Sequence, residues 1–156
     1  MGYKLVNINN RSALLKDNNY YDLETISNGD ISSNSIKSIS SIEKLSSLYQ
    51  KLDTFIPTGS INDISLDAPI KGSKNCFAVG LNYKNHAEES GMEIPPFPMI
   101  FTKHTTCIVG PNSNIELKSD IVDYEDELVA VIGKSGKNIT KDNAWEHVAG
   151  LTIGQD

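Results

Sequence analysis

The sequence predicts a β-rich α+β fold, because short strand-like segments outnumber helical ones along its 156 residues. Apolar residues make up 38% of the chain and charged residues 22%, a composition typical of a globular domain that builds its own core. The 20 acidic residues exceed the 14 basic ones, which gives a formal charge of −6. We therefore expect no nucleic-acid partner, and no membrane partner because no apolar run approaches the length of a membrane span.

The chain divides near residue 70, because residues before that point are rich in Ser and Asn and carry little chemistry. Polar and apolar residues alternate over residues 3–8, and strand patterns follow at 12–16 and 20–23, separated by Asn- and Asp-rich turns. The Ser-rich segment 27–41 is predicted to be a loop or a locally disordered insert, although its few Ile residues weigh against disorder.

An amphipathic helix is predicted over about residues 41–53. Its apolar residues follow helical spacing: Ile42, Leu45, Leu48, Tyr49 and Leu52. Ser40 and Glu43 form a capping-box pattern at its start, and Pro57 and Gly59 follow its end. We interpret this helix as a packing element.

The second part of the chain alternates strands, turns and short helices. A continuous apolar run predicts a buried strand over residues 75–80, and Gly91 closes a short helix that begins at Tyr83. A second helix is predicted from Thr140 to about Val148, with Trp145 on its packing side. Further strands are predicted at 98–102, 106–109, 128–132 and 151–154.

An acidic cluster precedes the strand at 128–132. Residues 123–127 contain four acids, and alternation along a strand would place Glu125 and Glu127 on one face. Two carboxylates in this arrangement suit a hard divalent cation. A solvated acidic strand start explains the same pattern, so the spacing alone leaves both interpretations open.

A second candidate is the pair His86 and Glu89, which are three residues apart and therefore neighbours on a helical turn. A carboxylate beside an imidazole orients the ring and raises its basicity, which suits a general base. A surface His–Glu pair without a catalytic role is the alternative.

Several phrases, taken in order, resemble the fumarylacetoacetate hydrolase family. They are Val79–His86, Pro98–Lys103, Val109–Pro111, Asp123–Lys134, Ala144–Gly150 and Gly154–Asp156. The resemblance covers about residues 66–156, which would form the front part of a metal-dependent catalytic domain. Residues 1–65 resemble the variable N-terminal subdomain of the family. The implied fold is a mixed, rolled β-sandwich.

The resemblance also implies roles for individual residues. Glu125, Glu127 and Asp156 match the family's carboxylate ligands of Mg²⁺, with Mn²⁺ or Ca²⁺ as alternatives. His86 and Glu89 match a water-activating dyad, and Lys103 matches a position close to the substrate. The family often forms homodimers, which we expect for a full-length form.

The implied activity is hydrolysis of a carbon–carbon bond in acylpyruvate-type 2,4-dioxo acids, through a metal-stabilised enolate. Decarboxylation or keto–enol isomerisation of oxaloacetate within the same family is the alternative, since enolate stabilisation serves each reaction. The family's domain continues beyond its third metal ligand, so the chain resembles an incomplete enzyme. A non-catalytic remnant that acts only as an interaction module is the other hypothesis.

We expect a cytoplasmic location, with a mitochondrial one as the alternative.

Overall fold

The computed structural model describes residues 2–156, and an antiparallel sheet forms its N-terminal part. Its strands are β1 (Lys4–Ile8), β2 (Arg11–Lys16), β3 (Asn19–Asp22) and the short β4 (Gly59–Ser60), in that spatial order. Asn9 and Asn10 form the first turn with φ of 51° and 61°, a conformation that Asn tolerates and that matches strand twist in tight hairpins. The strands predicted in this region are confirmed.

Three short α-helices belong to this part of the chain. They are α1 (Leu23–Ile26), α2 (Ser35–Ser38) and α3 (Ile42–Gln50). Leu45 is completely buried, and Leu48 is half-buried against the same cluster. The buried residues of that cluster are Leu14, Tyr21, Leu23, Ile26, Ile31, Leu45 and Leu52. The predicted helix is therefore confirmed as a packing element.

Two predictions for this region are wrong. The Ser-rich segment is neither a loop nor disordered throughout, because α2 and a 3₁₀ turn at Ile39–Ser41 order its second half. Ile31 is only 1% exposed, so burial of apolar side chains offsets the entropy of ordering a Ser-rich chain. The capping box does not form either, because the 3₁₀ turn runs directly into α3 and Ser41 stands at its N-cap without a side-chain hydrogen bond.

Residues 67–71 are anchored to the N-terminal sheet by hydrogen bonds. The backbone N–H of Asp67 donates to the carbonyl oxygen of Asn7 at 2.8 Å, and Asn7 Nδ2 donates to the carbonyl oxygen of Ala68 at 3.1 Å. Lys71 N donates to the buried Ser35 Oγ at 3.0 Å. Hydrogen bonds thus hold the backbone of residues 67–71 against the N-terminal part of the chain.

Contacts divide the chain into two compact units, one from the N-terminus to Lys71 together with Gly110–Asp156, and one of Gly72–Val109. The boundary expected after residue 65 stays a prediction.

In the smaller unit, β5 (Cys76–Gly80) pairs antiparallel with β6 (Met99–Lys103), and α4 (Lys84–Glu89) lies between them in sequence. Gly91 follows α4 with φ of 63°, as predicted for a helix end.

Two further predictions in the smaller unit fail. Residues 105–107 form a 3₁₀ turn where a strand was expected over 106–109. The strand β5 is not buried: Phe77 is 62% exposed and Val79 41%. The physical reason is that β5 belongs to a two-stranded sheet, so an apolar run alone does not bring a covering layer.

The chain's last two strands are β7 (Asp126–Ile132) and β8 (Val148–Gln155), which pair antiparallel. Their connection contains a 3₁₀ helix at Lys141–His147, where an α-helix was expected to continue to Val148. Trp145, expected on a packed side, is 70% exposed. A 3₁₀ helix has three residues per turn, so it does not keep the α-helical face on which Trp145 was expected. No helix within residues 2–156 has the length and apolar character needed to cross a bilayer.

Candidate functional site

The acidic cluster leads into β7, and its consecutive residues differ in exposure. Glu125 and Glu127 are half-buried, whereas Asp126 between them is exposed. Alternate burial along consecutive residues is what a strand with two different faces produces. The two glutamates therefore share the less exposed face.

Asp156 lies on the same face as these glutamates. The β7–β8 register pairs Asp126 with Gln155 and Glu127 with Gly154. The backbone N–H of Asp156 then donates to the carbonyl oxygen of Glu125 at 3.3 Å, which continues the ladder by one position. Directly opposed residues of antiparallel strands point to one face, so the hairpin carries Glu125, Glu127 and Asp156 together.

Gly154 lies directly opposite Glu127 in the strand pair, and a side chain at this position would meet a close neighbour. An ideal Cβ at this position would lie 3.0 Å from Val129 Cγ2 on the same face. A larger residue opposite Glu127 would therefore crowd the strand pair. The sequence signal for this close approach is the glycine that directly precedes Gln155.

The donor chemistry of this face fits a divalent cation, because carboxylate oxygens are the ligands that Mg²⁺ and Ca²⁺ prefer. Within residues 2–156, however, no group of three or more His, Cys, Asp or Glu side chains is arranged closely enough to hold a metal ion. The backbone thus brings the predicted ligands to one face, while their side-chain oxygens do not converge. Their role as ligands stays a prediction.

His86 and Glu89 both lie on α4, at the predicted spacing of one helical turn. Both side chains are exposed. The nearby ion pair on this helix joins Lys84 and Glu88 at 3.4 Å instead, and the described residues show no hydrogen bond or ion pair between His86 and Glu89. The helix positions the two groups as neighbours, and their action as a dyad stays a prediction.

A strained turn precedes α4. Leu81, directly after β5, has φ of 51°, which costs a non-glycine residue about 1 kcal/mol or more. Such backbone strain clusters at functional sites, because the surrounding structure must hold it in place. The sequence does not predict this conformation at Leu81, because the left-handed region is unfavourable for leucine and is usually occupied by Gly, Asn or Asp.

Lys103 ends β6 and lies opposite Cys76, at the end of the β5–β6 hairpin away from the turn into α4. It is half-buried and lines an open cavity of about 230 Å³ together with Lys74, His104 and Thr105. His86 lies on α4, within the helix predicted to begin at Tyr83. The role of Lys103 near a substrate stays a prediction.

The chain matches a family model described as "Fumarylacetoacetate (FAA) hydrolase C-terminal" over residues 75–156, which is more than half of its length. The chain belongs to the fumarylacetoacetate hydrolase family. Its fold agrees: a crystal structure of a Mycobacterium smegmatis protein matches 97% of the chain at 33% identity with a TM-score of 0.80. A fumarylacetoacetate hydrolase from Exiguobacterium antarcticum matches 99% of the chain at 25% identity with a TM-score of 0.70.

Curated relatives give a similar picture. A fumarylacetoacetate hydrolase domain-containing protein 2 homologue from Dictyostelium discoideum is 47% identical over 98 residues, which is 62% of this chain and 32% of that protein. The oxaloacetate tautomerase YisK from Bacillus subtilis is 44% identical over 103 residues, which is 62% of this chain and 34% of the relative. Human FAHD2A, named a mitochondrial oxaloacetate tautomerase, is 37% identical over 114 residues, covering 72% and 36% of the two chains.

The share of each relative that this chain matches is small. The chain spans about a third of the curated relatives it matches, and 54% and 56% of the two solved chains. The family and its sheet-rich α+β fold are therefore shown, as the sequence resemblance predicted.

Proposed function

We propose that the chain supplies cation-binding and acid–base residues to an enzyme that interconverts the keto and enol forms of oxaloacetate or a similar 2-oxo acid. The observation that carries the proposal is the common face of Glu125, Glu127 and Asp156 on the β7–β8 hairpin. The names of relatives from B. subtilis, Xenopus laevis and cattle, all oxaloacetate tautomerases, support this reaction over the carbon–carbon hydrolysis that we expected first.

In this proposal Glu125, Glu127 and Asp156 would hold a divalent cation, Mg²⁺ with Mn²⁺ or Ca²⁺ as alternatives. When bound, such a cation polarises neighbouring keto and carboxylate oxygens of a substrate. Because its register partner is Gly154, Glu127 has no directly opposed side chain on this face.

The proton transfer would fall to α4. Neutral His86 would accept a proton from the carbon next to the keto group of the substrate, and a proton would then be returned to the keto oxygen, so that atoms and charge balance. Glu89, one helical turn away on α4, would orient the imidazole ring. The ammonium group of Lys103 would attract a substrate carboxylate.

Hydrolysis of an acylpyruvate is the second candidate. The solved relative from E. antarcticum, which is named a fumarylacetoacetate hydrolase, supports it. The same His86 would then accept a proton from a water molecule whose oxygen forms a bond to the acyl carbonyl carbon. The bond between that carbon and the adjacent methylene carbon would break, giving a carboxylic acid and pyruvate, whose methyl carbon gains the proton. The two reactions differ in their products, so an assay separates them.

The test is a chimera in which residues 75–156 replace the matching segment of the B. subtilis tautomerase. We expect it to accelerate the keto–enol conversion of oxaloacetate in the presence of Mg²⁺, followed by the ultraviolet absorbance of the enol. A folded chimera that releases pyruvate from an acylpyruvate without accelerating tautomerisation would support the second candidate. A folded chimera that does neither would overturn the proposal, and circular dichroism serves as the folding check.

Location and assembly stay predictions. Relatives from Xenopus laevis, cattle and human are named as mitochondrial proteins, which supports the mitochondrial alternative for this chain. The expected cytoplasmic location and homodimer are tested by cell fractionation and by light scattering on the purified protein.

A further inference from the structure

The pairing of β7 with β8 changes register once, close to the turn end of the hairpin. Val131 pairs with Gly150. The next residue of β7, Ile132, pairs with Val148. Ala149 is therefore an extra residue of β8 without a pair on β7, which is a β-bulge. Bulges are common next to active sites, where they re-aim side chains.

The bulge decides the face on which Asp156 lies. The register of the turn end, continued along regular strands, would set Glu125 opposite Gln155. Asp156 would then point to the opposite face, because neighbouring residues of a strand alternate. The extra residue shifts the pairing by one position, so that Asp156 lies opposite Glu125 instead.

The register of the turn end is held by hydrogen bonds at His147. Its carbonyl oxygen accepts from the backbone N–H of Gly133 at 2.9 Å and from that of Lys134 at 3.3 Å. His147 Nδ1 lies 2.9 Å from the carbonyl oxygen of Lys134. Every residue of β8 is half-buried or exposed, and the strand contains Gly150 and Gly154. Because such strands specify their register weakly, the turn end sets the pairing and the bulge shifts it.

Gly133 provides the space in which the bulge lies. An ideal Cβ on Gly133 would lie 2.6 Å from Ala149 Cβ, which is closer than non-bonded carbon atoms come in proteins. It would also lie 3.0 Å from the carbonyl oxygen of Ile39, a buried residue of the N-terminal part. A side chain at position 133 would therefore displace the bulge.

We propose that Ala149 and Gly133 are positioning residues that bring Asp156 to the face of Glu125 and Glu127. The bulge supplies the shift by one position, and the glycine supplies the space for the bulge. The value of this shift for cation binding rests on the proposed function, whereas the shift itself is a property of the strand pairing.

The experiment compares variants of the full 156-residue chain by nuclear magnetic resonance. In the wild type, Val129 should show a cross-strand nuclear Overhauser contact to Thr152, its register partner. Gly133→Ala should displace the bulge, and the contact of Val129 should move to Leu151, because the register of the turn end then continues along the strands.

The same samples are titrated with Mn²⁺ alone, which broadens the signals of nearby amides. In the wild type, the amide signals of Glu125, Glu127 and Asp156 should broaden together. Gly133→Ala should need about tenfold more Mn²⁺ or beyond for the same broadening, because one of the three carboxylates has left the face.

Gly150→Ala is the matched control, since an ideal Cβ on this glycine next to the bulge meets nothing within 4 Å. It should keep the wild-type register and the wild-type response to Mn²⁺. Deleting Ala149 from the Gly133→Ala variant should restore both, because the clash is removed while the pairs on either side of the bulge stay in place. If Gly133→Ala alone does not fold, this double variant gives the decisive measurement.

Two results would overturn the proposal. Gly133→Ala could retain the wild-type register, as the control does, or the deletion of Ala149 could fail to restore that register. A wild-type chain that shows the expected register without any response to Mn²⁺ would overturn the proposed cation site alone, and would support the positioning of Asp156 by the bulge.

Discussion

The backbone N–H of Asp156 donates to the carbonyl oxygen of Glu125 at 3.3 Å, one position beyond the pair Asp126 and Gln155. This bond extends the β7–β8 register by one position, so that Glu125 and Asp156 are opposite each other. Directly opposed residues have Cβ atoms about 4.5–5.5 Å apart. Under the proposed function, the side chains of Glu125 and Asp156 would have to rotate toward one cation, with no change in strand pairing.

The first prediction concerns this face. In the B. subtilis chimera, Glu127→Ala should weaken Mn²⁺ binding by about tenfold or more, because one hard oxygen donor is removed. Asp126→Ala is the matched control, since Asp126 is the adjacent acid on the opposite face. Isothermal titration calorimetry measures both. Equal losses in the two variants would show that general negative charge, and not this face, attracts the cation.

The second prediction concerns α4. In the same chimera, His86→Ala should lower kcat for oxaloacetate tautomerisation by about 10²–10⁴-fold, the range typical of a lost general base, while Mn²⁺ affinity stays unchanged. Glu88→Gln is the control, because Glu88 lies on the same helix but pairs with Lys84. An increase in KM with unchanged kcat would instead assign His86 to substrate binding.

The third prediction compares two leucines of α3. Leu45→Ala should lower the free energy of unfolding by about 2–5 kcal/mol, because Leu45 is completely buried. Leu48→Ala should cost less than Leu45→Ala, because Leu48 is only half-buried against the same cluster. Urea unfolding of the 156-residue chain measures both values. A larger loss for Leu48 would contradict the packing described here.

The fourth prediction concerns pH and Asp22. Its carboxylate accepts from Arg11 Nε at 2.7 Å and from the backbone N–H of Thr25 at 3.0 Å. The hydrogen bond from Arg11 is the main cause that lowers the pKa of Asp22 below its ordinary value, against the opposing effect of burial. Because the pKa is lower in the folded state, the stabilisation is complete above the unfolded-state pKa and is lost as the pH falls through the folded-state pKa.

Asp22→Asn tests this linkage, because Asn keeps the helix cap but loses the charge. At pH 7 the variant should be less stable than the wild type by roughly 1–2 kcal/mol, since Arg11 is half exposed and solvent screens the pair. The difference should shrink below about pH 4, where the unfolded-state carboxyl becomes protonated. Urea unfolding at several pH values measures it, and a difference that does not change with pH would contradict the linkage.

Local patterns in the sequence determined the strands β1 to β3, the helices α3 and α4, and the family. Each depends on residues close together in the chain: alternating apolar side chains, turn-forming Asn residues, and motifs such as Val79–His86. The pairing of Glu125 and Glu127 on one face also followed from strand alternation alone, because side chains repeat every second residue.

Only the tertiary structure decided where those elements meet. The register that sets Asp156 opposite Glu125 depends on hydrogen bonds between distant strands, and a shift by one residue would have turned Asp156 to the other face. Burial was likewise not local: Ser-rich residues around Ile31 are packed, while the apolar runs of β5 and β8 are exposed. An apolar pattern states which side chains favour burial, but whether they are buried depends on the chain segments that pack against them.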